Sequence, residues 1–381
     1  MLVRRLDLLQ RIRRSVKDHP VTALLGPRQC GKTTLARELH RQMKGSFFDL
    51  ENRQDLARLQ DPVRALGELR GLIILDEVQK QTDLLDTLRV LADRRPRRAS
   101  FLILGSASPD LLRHSSQSLA GRVHFIDMQG FDLAEAPHLD RLWLRGGFPS
   151  SYLAGNGSKS FEWREDFLKT FLERDIPQWG IRVPAATLRR FWGMLAHYHG
   201  QTWNASEIAS SLGTAHTTTQ HYLDILTGAF MVRQLPPWHE NMGKRLVKAP
   251  KVYIRDSGLF HSLMSLETRE SLYAHPKFGA SWEGFALEQL IRLVPDRHAY
   301  FWGTHAGAEL DLMISRDGKR WGFEFKVSEA PSVTKSMRIA LKDLKLQRLW
   351  VVYPGTHRFV MSDRIEAVPL AQALQLDVVK G

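Results

Sequence analysis

The sequence contains a single cysteine, Cys30, among its 381 residues. An intramolecular disulfide is therefore impossible, and folding without disulfides fits a reducing cytoplasm. Long apolar runs are also missing, because no stretch approaches the roughly 20 residues that a transmembrane helix requires. We therefore expect a cytoplasmic protein that does not span a membrane.

Acidic residues are the minority charge. The chain has 41 Asp and Glu against 54 Lys and Arg, which gives a formal net charge of +13. This balance favours a polyanionic partner, with nucleic acid first and an anionic membrane surface second. Internal repeats and low-complexity tracts are absent, and the length is sufficient for two or three domains.

A phosphate-binding motif lies near the start of the chain. Residues 26–33 read G-x-x-x-x-G-K-T, after an apolar run at 21–25 that predicts a strand and before a helical pattern at 35–39. Its glycines let the backbone fold around a phosphate, and the loop N–H groups face the anion. Lys32 would reach the β- and γ-phosphates and the Thr33 hydroxyl would bind Mg²⁺.

The motif predicts ATP and Mg²⁺ as cofactors. The alternative is a glycine-rich turn between a strand and a helix, without a ligand. The predicted nucleotide-binding residues are Gly26, Pro27, Arg28, Gln29, Cys30, Gly31, Lys32, Thr33 and Thr34.

A second apolar run, at residues 72–75, ends in Asp76 and Glu77. This composition is typical of a parallel strand that is buried on both faces. Ligands bind at the carboxyl ends of such strands. We expect Asp76 to hold Mg²⁺ through water and Glu77 to polarise the attacking water. The alternative is a plain strand end with two solvated acids.

Two further polar residues follow the next predicted strand, at residues 101–104. Ser106 resembles the first sensor of AAA-type ATPases, which contacts the γ-phosphate or the water. Arg122 lies a little further on and could be supplied in trans to the nucleotide of a neighbouring subunit. For Ser106 the alternative is a strand-to-loop turn, and for Arg122 it is a solvated surface arginine. The candidate catalytic residues are Lys32, Glu77, Ser106 and Arg122.

The middle of the chain carries a helix-turn-helix pattern. A capped helix at 204–213 is followed by a second helix at 217–226 and a strand at 230–235, which resembles a winged helix-turn-helix. DNA would then be contacted by Thr217, Thr218, Gln220 and His221 on the second helix and by Lys244, Arg245, Lys248 and Lys251 after it. The alternative is a packing or oligomerisation module of the same shape, because the second helix contains no arginine.

The last third of the chain predicts an acidic cluster. A helix at 282–293 carries Glu283 and Glu288, an alternating strand carries Asp311, and the next strand places Glu324 and Lys326 on one face. Such a set can hold a divalent cation, with the lysine orienting a water. It resembles the site of restriction-endonuclease-like folds. The alternative is a relic of that fold, in which the same residues form a buried ion-paired cluster.

Together these motifs resemble a prokaryotic family of AAA-type ATPases with a restriction-endonuclease-like C-terminal domain. The resemblance implies an α/β fold. Its expected parts are a P-loop AAA-type core (1–131), a helical lid (132–184), a winged helix-turn-helix (185–249) and a restriction-endonuclease-like α/β domain (250–381).

The resemblance also implies ATP hydrolysis in a homo-oligomer, such as a hexameric ring, with duplex or branched DNA as the partner. The predicted function is an ATP-hydrolysing DNA motor or remodeller. Two other functions remain open: a nucleotide-gated protein-interaction switch and an ATP-dependent nuclease.

The first helix is expected to be amphipathic. Residues 1–19 alternate apolar and basic residues at helical spacing, which favours a solvated helix; the alternative is that Leu2, Leu6, Leu9 and Val16 face a core. The arginines, including Arg5, are expected on the solvent side.

Overall fold

The computed structural model describes residues 3–106, 118–239 and 246–380, and it contains three β-sheets in these ranges. Lys244 and Arg245, two of the expected phosphate contacts, lie outside the described residues. No helix in the described ranges is both long enough and apolar enough to cross a membrane.

The first sheet has five parallel strands in the order β2-β3-β4-β1-β5. Alternate residues of β1 contribute to two cores, with Ala23 in one and Leu24 in the other, because successive side chains of a strand point to opposite faces. The elements of this part are α1 (Leu6–Asp18), β1 (Val21–Gly26), α2 (Lys32–Gln42), β2 (Gly45–Asp49), α3 (Arg53–Arg58), α4 (Pro62–Gly67), β3 (Gly71–Asp76), α5 (Leu84–Ala92), β4 (Ala99–Ser106) and β5 (Val123–Asp127).

The first helix buries Leu9 and Val16, which corrects the expectation of a solvated helix, but two residues at its start differ from the core-facing alternative. Leu6 is 57% exposed, whereas Arg5, directly before the helix, is only 8% exposed. Leu2 lies outside the described residues. The Arg5 guanidinium bonds the Glu135 carboxylate at 2.7 Å and the carbonyl oxygens of Gln129 and Gly130. Burial is tolerated because these acceptors satisfy the charged group.

The middle part is helical around a small antiparallel sheet of order β6-β8-β7. Strand β8 lies beyond the expected boundary at residue 249, yet it pairs only with strands of this sheet. The elements are α6 (Leu139–Arg145), α7 (Pro149–Tyr152), α8 (Gly157–Thr170), a π-helical turn (Phe171–Asp175), α9 (Ile176–Gln178), α10 (Ala185–His197), β6 (Gln201–Thr202), α11 (Ala205–Leu212), α12 (His216–Gly228), β7 (Val232–Leu235) and β8 (Lys251–Ile254).

The third sheet is mixed, with six strands in the order β13-β14-β12-β11-β10-β9. Strands β9, β10 and β11 are antiparallel neighbours, whereas β11, β12 and β14 are parallel. The elements are α13 (Ser257–Leu263), α14 (Arg269–Tyr273), α15 (Phe278–Ile291), β9 (Ala299–Gly303), β10 (Glu309–Arg316), β11 (Lys319–Phe325), α16 (Lys335–Asp343), β12 (Arg348–Tyr353), β13 (Phe359–Ser362), β14 (Ile365–Pro369), α17 (Leu370–Ala373) and α18 (Asp377–Lys380).

Helix α15 joins the three parts through a buried charged group. The Glu288 carboxylate, 1% exposed, accepts hydrogen bonds from the Arg233 guanidinium and lies 3.5 Å from Arg255 Nε. Burial alone would raise the pKa of Glu288, but Arg233 and Arg255 outweigh it and lower the pKa to about 2. One turn later, Arg292 donates to the carbonyl oxygens of Gly130 and Phe131.

His261 makes a second buried polar link to this helix. Its Nε2 atom lies 2.7 Å from Ser281 Oγ and its Nδ1 atom 3.0 Å from the Leu144 carbonyl oxygen. Burial lowers the pKa of His261 to about 3. The folded protein therefore holds this imidazole neutral over a range of pH in which the unfolded chain protonates it.

Replacing Glu288 by Gln should destabilise the fold. The substitution leaves Arg233 and Arg255 buried without their carboxylate, which typically costs about 3–5 kcal/mol. Urea unfolding at pH 7 measures the loss. The matched control is Asp140→Asn, which breaks the exposed Asp140–Arg269 pair and should leave the unfolding midpoint close to that of the wild type. Equal midpoints for the two variants would contradict this role of Glu288.

Replacing His261 by Gln should weaken the dependence of stability on pH. Between the ordinary histidine pKa near 6.5 and the folded value of about 3, the unfolded state binds the proton and the folded state does not. His261 therefore removes about 1.4 kcal/mol of stability for each pH unit below roughly 6.5. The free energy of unfolding, measured between pH 7 and pH 5, should fall less steeply in the variant. His221→Gln, at an exposed position, controls for the substitution, and parallel slopes for His261→Gln and the wild type would refute the assignment.

Candidate nucleotide-binding site

The phosphate-binding loop joins β1 to α2, as predicted from the sequence. Gly26 ends the strand, and a Cβ atom there would lie 1.9 Å from the Met128 carbonyl oxygen, so only glycine fits. Gln29 and Gly31 have φ of 61° and 100°, in the left-handed region. These two residues turn the chain so that α2 begins directly at Lys32.

Lys32 lies within the loop and is 6% exposed. Its ammonium donates to the carbonyl oxygens of Gly26 at 3.0 Å and Pro27 at 2.8 Å. The Cys30 side chain is fully buried, with Sγ 3.6 Å from the Met128 carbonyl oxygen. Cys30 therefore presents only its backbone on the phosphate side of the loop.

Thr33 and Asp76 meet at the carboxyl edge of the first sheet. The Thr33 side chain hydrogen-bonds the Asp76 carboxylate, and Asp76 Oδ1 also accepts from the Glu77 N–H at 3.0 Å. Burial raises the pKa of Asp76 to about 6. A hydroxyl and a carboxylate side by side are oxygen ligands that suit Mg²⁺, which takes its remaining ligands from water and phosphates. These residues therefore fit the expected metal.

Glu77 and Ser106 flank this pair. Glu77 has φ of 56° and its half-buried carboxylate accepts a hydrogen bond from Gln79 Nε2. Ser106 is paired in register with Gly26, and its buried hydroxyl has no hydrogen-bond partner among the described residues. A buried hydroxyl without a partner is costly, so the Ser106 position suits a ligand that supplies one.

A cavity of about 130 Å³ lies beside the loop and was not predicted from the sequence. The loop and α2 contribute Cys30, Gly31, Thr34, Leu35 and Glu38 to its lining, and other parts of the chain contribute Val3, Arg5, Phe131, Pro149 and Leu153. The apolar lining suits a planar base, since small-molecule sites are mostly apolar with a few polar groups. Cys30, Gly31 and Thr34 belong to the predicted nucleotide-binding residues, whereas Val3, Arg5, Phe131 and Leu153 gave no sequence signal because they are distant from the loop in the chain.

The other side of the loop is closed by the π-helical turn. The Arg28 guanidinium contacts the buried Asp175 carboxylate at 2.5 Å and Gln178 Oε1 at 3.1 Å. Glu77 is close enough to Asp175 to raise its pKa, after the larger effect of burial. Arg28 thus ties the loop to the helices that follow the first sheet.

Arg122 lies at the opposite, amino-terminal edge of the sheet. Its carbonyl oxygen accepts from the Val21 N–H at 3.2 Å, and its guanidinium makes two 2.7 Å hydrogen bonds to Asp93. It is therefore remote from the loop of its own chain, and the expected role could only be exerted on a neighbouring subunit.

The acidic cluster in the third sheet forms in part. Lys326 Nζ lies 3.1 Å from Glu324, and burial together with the neighbouring Asp311 raises the pKa of Glu324. Burial and Asp311 also raise the pKa of Glu283 to about 7, so the three acids lie close together. Glu288 does not join them, which corrects the sequence prediction. Glu288 lies five positions after Glu283, roughly 140° away around the helix axis. Its side chain therefore projects from another face, towards Arg233 and Arg255.

Lys251 is the member of this cluster that sequence analysis placed elsewhere. It was expected on a DNA-facing surface, yet it is 3% exposed and its ammonium contacts Glu283, Glu309 and Asp311. A usable signal was present for Glu309, because it lies two residues before Asp311 on one strand and shares its face.

Family profiles divide the chain into three parts. Residues 18–136 match an AAA domain, residues 136–270 match a domain of unknown function (DUF8612), and residues 278–373 match another (DUF4143). Among solved structures, the Walker-type ATPase paby2304 of Pyrococcus abyssi aligns with a TM-score of 0.50 at 15% identity, over 69% of this chain and 96% of that chain. This likeness confirms the P-loop ATPase-like α/β core.

Two curated proteins are much closer in sequence. They are the uncharacterized protein Rv2008c of Mycobacterium tuberculosis and the uncharacterized protein Mb2031c of Mycobacterium bovis. Each is 51% identical over 376 residues, which cover 98% of this chain and 85% of the relative. The chain carries an AAA domain and belongs to the same protein family as these two mycobacterial proteins.

Proposed function

We propose that the protein is an ATP-hydrolysing AAA-type motor or remodeller that acts on duplex or branched DNA as a homo-oligomer. The observation that carries the ATPase part is the meeting of Lys32, the Thr33–Asp76 pair and the Ser106 hydroxyl at one edge of a parallel sheet, where Ser106 has no partner among the described residues. A ligand crevice at the carboxyl ends of the strands is where such sheets bind nucleotides.

Each residue has a role that follows from its chemistry. Lys32 would exchange its loop carbonyls for the β- and γ-phosphates, and Thr33 with Asp76 would hold Mg²⁺, which neutralises phosphate charge when bound. Glu77 would polarise the attacking water and Ser106 would donate to the γ-phosphate or the water. Arg122 would act on a neighbouring subunit, after release from Asp93.

The remaining domains are assigned by their element order. Elements α10 to β8 follow the order of a winged helix-turn-helix: a helix, a short strand, two helices and two further strands. Strand β8 extends this domain beyond the expected range of 185–249. Residues 132–184 would form the helical lid, which Arg28 ties to the loop through Asp175. The mixed third sheet supports a restriction-endonuclease-like fold for residues 255–381.

Charge is the support for DNA as the partner. The formal net charge is +13, and exposed basic residues lie together at the amino-terminal edge of the first sheet. There the Arg97 guanidinium donates to the Lys17 carbonyl oxygen at 2.5 Å, and the Arg98 carbonyl oxygen accepts from the Gly71 N–H. Phosphate contacts from Lys17, Arg97 and Arg98 would bind DNA without reading its sequence.

Helix α12 favours the second candidate, a nucleotide-gated protein-interaction switch. It contains no lysine or arginine, and the Gln220 amide is held within the domain by Trp203 Nε1 at 2.8 Å and Asp224 at 2.9 Å. The segment after β7 is also bound to the rest of the protein, because the Trp238 N–H donates to the carbonyl oxygen of Phe301 in the third sheet. A partner protein would then replace DNA as the regulated ligand.

Replacing Lys32 by Ala should reduce steady-state ATP hydrolysis by about 100-fold or more, because a preorganised cation at the phosphates is lost. The fold should be retained, as checked by circular dichroism. Lys44→Ala removes an exposed lysine near the end of α2 and is the matched control, expected to hydrolyse ATP at the wild-type rate. Retained turnover in a folded Lys32→Ala protein would refute the ATPase assignment.

DNA association predicts steep salt dependence and a defined set of contacts. Binding of single-stranded, duplex, forked and four-way junction DNA should weaken as the salt concentration rises. In the triple variant Lys17→Glu/Arg97→Glu/Arg98→Glu, the slope of the logarithm of the binding constant against the logarithm of the salt concentration should become less steep by about one for each lost contact. The charge-matched control is Arg338→Glu/Lys342→Glu/Lys345→Glu, which reverses three exposed basic residues of the third part.

ATP hydrolysis measured with the same DNA panel separates the two candidates. Stimulation by one DNA structure, lost in the triple variant, supports the motor and identifies its substrate. Turnover that no DNA changes, with no salt-sensitive binding, favours the protein-interaction switch.

A further inference from the structure

The acidic cluster of the third sheet contains a cation that belongs to the chain. Lys251 is the first residue of β8, and its ammonium lies 3.5 Å from Glu283 Oε1, 3.5 Å from Asp311 Oδ1 and in contact with Glu309. The lysine comes from the second sheet, the glutamate from α15 and the other two acids from β10. Three separate elements therefore meet at one ammonium group.

The carboxylates that face this ammonium have further partners from the protein. Glu283 Oε1 also accepts from Tyr253 Oη at 2.7 Å, and the second oxygen of Asp311, Oδ2, accepts from the Phe325 N–H at 3.0 Å. The Lys251 ammonium, the Tyr253 hydroxyl and the Phe325 N–H thus already occupy oxygens that a divalent cation would need, so the cation of a nuclease-like fold does not fit beside Lys251.

The ion pairs of the cluster lead to the same result. The Lys251 ammonium contacts Glu283, Glu309 and Asp311, and the Lys326 ammonium lies 3.1 Å from Glu324. A divalent cation would have to displace these ammonium groups from the carboxylates, which would leave positive charge without a partner.

We propose that the Lys251 ammonium is the permanent cation of this cluster, so that the third sheet takes no divalent metal there and does not cleave nucleic acid. The cluster instead fastens β8 of the second sheet to α15 and β10. The arrangement of acids that resembles a nuclease site thus serves as an ionic clamp between two domains.

The decisive measurement uses the full-length, nucleotide-free protein with Mn²⁺ as the probe. Mn²⁺ is added to the wild type and to Asp311→Asn, and electron paramagnetic resonance measures the free Mn²⁺ that remains. In a second assay, a supercoiled plasmid is incubated with each protein in Mg²⁺ or Mn²⁺. We expect superimposable titrations and no nicking by either protein. A one-to-one Mn²⁺ site, or nicking, that is present in the wild type and lost in Asp311→Asn would overturn the proposal.

Removing the ammonium tests the same point in the opposite direction. Lys251→Met keeps the side-chain length but leaves the carboxylates without their cation, so it should acquire one Mn²⁺ site and a rise in melting temperature with Mn²⁺. Both gains should vanish in Lys251→Met/Asp311→Asn. A folded Lys251→Met protein that binds no Mn²⁺ would count against the proposal.

Two controls keep the result independent of folding and of the ATPase. Lys251→Arg retains the positive charge and should bind no Mn²⁺, as in the wild type; Mn²⁺ binding by this folded variant would contradict the proposal. If Lys251→Met does not fold, the comparison of the wild type with Asp311→Asn still decides. Asp311→Asn should hydrolyse ATP at the wild-type rate, because Asp311 lies outside the nucleotide site, so failure of this proposal leaves the proposed ATPase function untouched.

Discussion

The buried contact of Glu288 with Arg233 and Arg255 holds the three parts of this protein in place. A carboxylate inside a protein is stable only when it is paired, and here both partners come from the second sheet region while Glu288 belongs to α15. Nearly every side of α15 is buried, so the helix cannot turn or slide without exposing apolar surface. The polar pairing fixes its orientation and the apolar packing fixes its position.

The nucleotide site is connected to the same helix. Arg292, one turn beyond Glu288, bonds the carbonyl oxygens of Gly130 and Phe131, and Phe131 lines the cavity beside the phosphate-binding loop. On the opposite side, Arg28 bonds Asp175 in the π-helical turn. The loop is therefore held between the segment after β5 and the helices after it, both of which continue into the rest of the chain.

The third sheet illustrates how one added side chain changes the chemistry of a pattern. Asp311, Glu324 and Lys326 occupy adjacent strands and meet, as their spacing predicts. Lys251 enters the same cluster from another sheet and contacts three acids. Without Lys251 the acids of this cluster would be free to coordinate a metal. With Lys251 they are paired charges, because its ammonium occupies the oxygens that a divalent cation would need.

The local sequence by itself determined the parallel ATPase core. The motif G-x-x-x-x-G-K-T, the apolar run before Asp76 and the strand before Ser106 are each short continuous segments, and together they predict a parallel sheet with a phosphate-binding loop. The strand order then brought Thr33 to Asp76, which follows from the rule that parallel strands end at one edge. Tertiary structure alone decided the positions of Arg5, Glu288 and Lys251. Local pattern assigns each of these charged residues to solvent or, for Glu288, to the helix face of Glu283. Each is buried because groups of the opposite charge or hydrogen-bond partners from distant parts of the chain contact it.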